Sequence, residues 1–131
     1  MSGKHLVKGL YRLFFAALMV ASVMQGFGAA SRAADKPLPR LLDLGATKCI
    51  PCKMMAPILD ELKKDLAGQL EVEFIDVWEN REKAEEYGIQ MIPTQIFFAP
   101  SGEELFRHAG FYSRENILTR WRELGYTFEL K

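Results

Sequence analysis

Two cysteines, Cys49 and Cys52, stand where an apolar run gives way to a helical pattern. That pair constrains the fold more than any other feature of the 131-residue chain. Leu41-Leu42-Asp43-Leu44, ahead of Gly45, reads as a short buried strand. From Pro51 onward, Met55, Leu59, Leu62 and Leu66 recur at the spacing of one buried helix face, with Lys53, Asp60, Lys63 and Lys64 elsewhere. Gly68 is a stop signal. Thiols at this spacing can close a small disulfide ring at a helix start. The first lies beside unsatisfied backbone N–H groups and the positive end of the helix dipole, which stabilise a thiolate. Lys48 and Lys53 add positive charge, so the Cys49 pKa is expected below the free value of about 8.5. Pro51 suits the first helical turn and stiffens the ring.

The remaining pattern predicts a strand over 70–77, then a short helix through Tyr87 capped by Asn80, with Gly88 just past its end. Thr94-Gln95-Ile96-Phe97-Phe98 is β-rich. A Pro100-Ser101-Gly102 turn leads into a paired antiparallel strand over 104–108. Ser113 is an N-cap for a last helix with Ile117, Trp121 and Leu124 on one face. Trp121 and Met55 are expected in the core, and Trp78, at a strand end, is expected to pack or to sit near the site, with packing favoured. Residues 79–86 read as a solvated helix face.

All charge in the first 31 residues is positive (Lys4, Lys8, Arg12), and residues 13–31 are uncharged with an apolar core. Small residues then cluster at Gly28-Ala29-Ala30-Ser31. This is the layout of a secretory signal segment, with Ser31-Arg32-Ala33 as a cleavage site and Ala30 or Ala34 as alternatives. A retained membrane anchor is the other reading, since the uncharged stretch approaches the spanning length of about 20 residues. Gln25, Gly26 and Gly28 weaken its second half. Either reading divides the chain into a targeting or anchoring segment, 1–34, and an exported domain, 35–131, facing the periplasm. Lysine plus arginine equals aspartate plus glutamate at 17 each, but Lys4, Lys8, Arg12 and Arg32 all lie in the first segment. The domain is therefore mildly acidic, which argues against nucleic acid as a partner.

A tetrahedral metal knuckle needs about four ligands, and the domain offers two cysteines and His108, which reads as a surface strand residue. No metal is therefore expected. A purely structural disulfide closing so short a loop would contribute only about 2 kcal/mol. Reduced buried thiols do not suit an exporting compartment. A redox dithiol accounts best for the spacing.

Cys49-Ile50-Pro51-Cys52-Lys53-Met54-Met55-Ala56-Pro57-Ile58-Leu59-Asp60-Glu61-Leu62 resembles the active-site helix of thioredoxin, whose signature is W-C-G-P-C-K. Tyr87-Gly88-Ile89-Gln90-Met91-Ile92-Pro93-Thr94 resembles its Y-G-I-x-x-I-P-T stretch, and 106–110 its following strand and glycine. The likeness covers about residues 41–124. It implies an α/β, thioredoxin-like fold: a mixed central sheet flanked by helices, order βαβαββα, with a shortened N-terminal part.

The resemblance also implies roles. Cys49 would be the nucleophile toward a substrate disulfide and Cys52 the resolving thiol. Asp43 would be a buried carboxylate of raised pKa that shuttles a proton through water, rather than a capping or surface carboxylate. Pro93 would follow a cis bond, keep metals from the dithiol, and let the Ile92 backbone pair with an extended substrate. Ile50, Pro51 and Gly110 would complete the substrate surface. Three departures stand out: Lys48 replaces the family's tryptophan, Ile50 its glycine, and Phe74 a buried lysine facing Asp43. Without that cation Asp43 should be harder to ionise.

The implied activity is that of an exported thiol–disulfide oxidoreductase acting on protein disulfides or thiols, with no cofactor beyond the dithiol. Pro51 favours a reductant, because the related disulfide-forming proteins usually carry histidine there. A reductant outside the cytoplasm would draw electrons from a membrane electron-relay protein. An oxidase or isomerase on the same fold and a CxxC metallochaperone for a soft cation are the alternatives.

Overall fold

The computed structural model describes residues 36–131, so the expected targeting or anchoring segment lies outside the described residues. The elements run β1 (Arg40–Gly45), α1 (Ile50–Asp65), β2 (Glu71–Asp76), α2 (Arg81–Glu86), β3 (Thr94–Phe98), β4 (Glu104–Ala109) and α3 (Arg114–Glu123). This is the expected βαβαββα order. The strands form one mixed sheet in the order β2-β1-β3-β4. β1 runs parallel to β2, while β3 is antiparallel to both β1 and β4. No helix among the described residues is long and apolar enough to cross a membrane.

Strand alternation sends the sheet's side chains into two cores. On one face Leu41, Val72 and Phe97 meet the α1 stripe of Met55, Leu59, Leu62 and Leu66, together with Ile117 and Trp121 from α3. On the other, Leu42, Leu44, Ile96 and Phe98 pack against Val77 and, around α2, Ala84, Tyr87 and Ile89. Both faces of β1 and β3 are thus covered, which is why each reads as a near-continuous apolar run.

Local signals explain most element ends. Ser113 accepts from Asn116 N (3.2 Å) and caps α3 as expected. α1 continues through Pro57, held by the packing of its apolar stripe. Asn80 occupies the N-cap position of α2, but its side chain makes no capping bond. Its Nδ2 instead donates to the Asp76 carbonyl at 2.9 Å. Trp78 corrects a second expectation: it is 56% exposed. The chain turns sharply there, because Asp76 accepts from both Trp78 N and Glu79 N (2.9 and 3.3 Å) and swings the indole outward.

Candidate active site

Register alone gathers the sequence-predicted residues at one end of the sheet. β1 ends at Gly45 opposite Asp76 of β2. Leu44 of β1 lies opposite Thr94, the first residue of β3, and Thr94 opposite Ala109, the last of β4. The segments leaving β1, entering β3 and leaving β4 therefore emerge together. They carry Cys49, Ile92-Pro93 and Gly110.

Cys49 is the N-cap of α1, and its Sγ accepts from Cys52 N at 3.4 Å. The pair forms a disulfide with Cα atoms 5.2 Å apart. Its two sulfurs are unequal: Cys49 is partly exposed, whereas Cys52 is 4% exposed. Pro51 sits in the first turn, where a missing N–H costs nothing. Gly45 is confined by the buried sulfur, since a Cβ there would lie 3.2 Å from Cys52 Sγ and 3.1 Å from the Phe74 ring.

The Ile92–Pro93 bond is cis. Its loop is tied on both sides: Thr94 Oγ1 donates to the Met91 carbonyl (2.6 Å), and Gly110 N donates to the Pro93 carbonyl (2.7 Å). Gly110 has φ +102°, a conformation that side-chain-bearing residues rarely adopt, and open space where a Cβ would be. Exposed apolar side chains share this end of the sheet with the exposed Lys48 and Lys53 that flank the dithiol. Ile50 is 75% exposed, and Trp78, Met91 and Phe111 are also exposed. Sequence reasoning missed Met91 and Phe111 as rim residues. Their positions beside Pro93 and Gly110 were the available signal.

Asp43, two residues before the end of β1, is fully buried. Burial pushes its carboxyl up to about 6, and a hydrogen bond from Gln95 Nε2 (2.7 Å) partly opposes the rise. Phe74 stands opposite Asp43 on β2, so no cation faces it there. Among the described residues no group of three or more His, Cys, Asp or Glu side chains converges as a metal site. His108 lies half-buried on β4 and stacks on Tyr112.

Residues 25–123 match the sequence profile of the thioredoxin family. The chain belongs to the thioredoxin family. It is 42% identical over 78 residues to a thioredoxin of Staphylococcus epidermidis, covering 60% of this chain and 74% of that one. A thioredoxin of Rickettsia conorii is 38% identical over 84 residues, covering 64% and 79%. Among solved structures, the germline-specific thioredoxin Deadhead of Drosophila melanogaster superposes with a TM-score of 0.61 at 27% identity, covering 70% of this chain and 86% of that one. With its disulfide at the head of α1, this thioredoxin-family chain is a thiol–disulfide oxidoreductase.

The buried carboxyl makes this family member's stability depend on pH. Asp43 binds its proton more tightly in the fold than in the unfolded chain, so the folded state holds the extra proton between pH 3.8 and about 6. Unfolding free energy is highest below that window and falls as pH rises through it, by about 3 kcal/mol in all. Asp43→Asn cannot ionise. Urea denaturation of the oxidised protein should show the fall between pH 4 and pH 8 in the wild type only, with the variant the more stable at pH 8. An equal fall in both would show that Asp43 does not carry it.

Proposed function

We propose that this protein is an exported reductant of protein disulfides. The observation that carries the exchange chemistry is the inequality of the two sulfurs, one accessible and one buried. Cys49 attacks a partner disulfide and holds the partner as a mixed disulfide; Cys52 attacks Cys49 Sγ and releases the partner thiolate. Asp43 accepts the Cys52 proton through water, a role supported by its burial and raised pKa. The partner's extended backbone lies along Ile92-Pro93, with Ile50, Pro51 and Gly110 around it and the apolar rim gripping its side chains.

Export is supported by the basic, apolar and small-residue sequence of 1–34. The reducing direction is supported by Pro51 between the cysteines. Each turnover outside the cytoplasm oxidises the Cys49–Cys52 dithiol and delivers two electrons, so a membrane electron-relay protein must restore it.

A Cys52→Ser variant expressed with its full N-terminus should accumulate mixed disulfides through Cys49 in the exported fraction. The wild-type pair should have a reduction potential near the thioredoxin value of about −270 mV. A potential near about −120 mV would make the protein an oxidant instead. Tight stoichiometric copper(I) binding without exchange activity would make it a metallochaperone.

A further inference from the structure

The polar partner of Asp43 comes from a position that the strand pattern gives no reason to notice. Gln95 is the second residue of β3, flanked by Thr94 and Ile96, and is fully buried. It lies directly opposite Asp43 in the β1–β3 register, 52 residues away in sequence. Its Nε2 donates to Asp43 Oδ1 at 2.7 Å. Asp43 Oδ2 and Gln95 Oε1 are both buried with no hydrogen-bond partner among the described residues.

Two orphaned acceptors in one buried pair are costly, because each has lost water without replacement. A proton on the Asp43 carboxyl supplies the donor that the pair lacks. The amide therefore does two things. Its N–H stabilises the charged carboxylate, and its hold on one oxygen fixes which way the carboxyl faces.

We infer that Gln95 is a positioning residue for Asp43, holding the carboxyl ready to take the Cys52 proton in place of a cationic partner. This rests on the proton-acceptor role proposed above for Asp43. In that step the Cys52 thiol gives its proton to the Asp43 carboxylate. The sulfur's electron pair then forms the bond to Cys49 Sγ, and the partner sulfur leaves as a thiolate with the pair of the broken bond. Gln95 neither gains nor loses a proton.

The surroundings leave the amide as the main polar influence. Phe74 faces Asp43 from β2, and Asp76 at the end of that strand is occupied by Thr47, Trp78 and Glu79 amides. From α1, Cys52, Ala56 and Leu59 line a cavity of about 260 Å3 against Phe74, with Lys53 and Asp60 also on its wall. α3 contributes Ile117 and Trp121 to the core on this face, while its Arg114 and Arg120 pair with Asp65 and Glu123. His108 is the titratable group opposite Gln95 on β4.

The test follows the Asp43 carboxyl by carbon NMR in the oxidised protein, beside the pH profile of turnover with a model protein disulfide. Gln95→Met keeps the bulk and removes the amide. Its Asp43 midpoint should rise by about one pH unit, since a hydrogen bond to the charged form is lost. The turnover limb should rise with it, KM should stay unchanged, and in an Asp43→Asn background the substitution should move no limb. An unmoved carboxyl midpoint, or a limb shift that persists without Asp43, would overturn the inference. Should Gln95→Met fail to fold, the wild type still decides: the Gln95 side-chain amide resonances must titrate with the Asp43 midpoint, and silence there overturns the pairing. A wild-type rate in Asp43→Asn would instead sink the proton role of Asp43, a failure read separately from the carboxyl titration.

Discussion

Cys49→Ser is expected to lower the rate of protein disulfide exchange by several orders of magnitude while leaving the fold intact. The size follows from the nucleophile role proposed for Cys49: removing a covalent nucleophile leaves only background chemistry. The fold should survive because Cys49 is a partly exposed N-cap and serine is itself a strong N-cap residue. The lost link closes a loop so short that it contributes only about 2 kcal/mol. Comparing exchange rates at matched circular dichroism spectra checks both halves. Residual exchange within tenfold of wild type would mean that the buried Cys52 is the attacking sulfur, contrary to its exposure.

Trp121→Ala should be the most damaging single truncation for stability, by about 3–5 kcal/mol. Domains of this size have only about 5–15 kcal/mol in total. Trp121 is fully buried, and rings of Phe97, Tyr126 and Phe128 lie 4.8, 5.2 and 5.8 Å from its own. Two of those partners belong to the C-terminal tail after α3, so the truncation also removes the tail's aromatic anchor and leaves it held by the two Gln69–Glu129 hydrogen bonds. One term works the other way. The indole Nε1 is buried with no hydrogen-bond partner among the described residues, a cost that truncation removes. Trp121→Phe separates the two, keeping a ring and deleting the orphan N–H, and should cost far less. Denaturant midpoints of the three proteins measure this. A loss for Trp121→Phe equal to that for Trp121→Ala would show that shape, not ring burial, decides the site.

Where burial and periodicity coincide, the architecture is legible in the sequence. Met55, Leu59, Leu62 and Leu66 mark α1 because a helix facing one core must repeat that way, and packing overrides Pro57. Cys49 and Pro93 were legible because their residue types and spacing resemble a known family. Trp78 and Asn80 misled for one shared reason. Asp76 and its carbonyl capture backbone and side-chain groups of Trp78, Glu79 and Asn80, and such local competition leaves no periodic trace. Gln95 was invisible for a different reason. A lone amide in a β-rich run says nothing about the carboxyl 52 residues earlier that the register sets opposite it.

Asp76 also joins two parts of the chain that look independent in sequence. Its Oδ2 accepts from Thr47 N at 2.9 Å, two residues before Cys49, while its Oδ1 holds Trp78 N and Glu79 N. These amides hold the carboxyl below the usual carboxylate range. The loop that presents the dithiol and the loop that presents the exposed tryptophan are thus fastened to a single rivet. Acid strong enough to neutralise that one carboxylate is therefore expected to loosen both loops together.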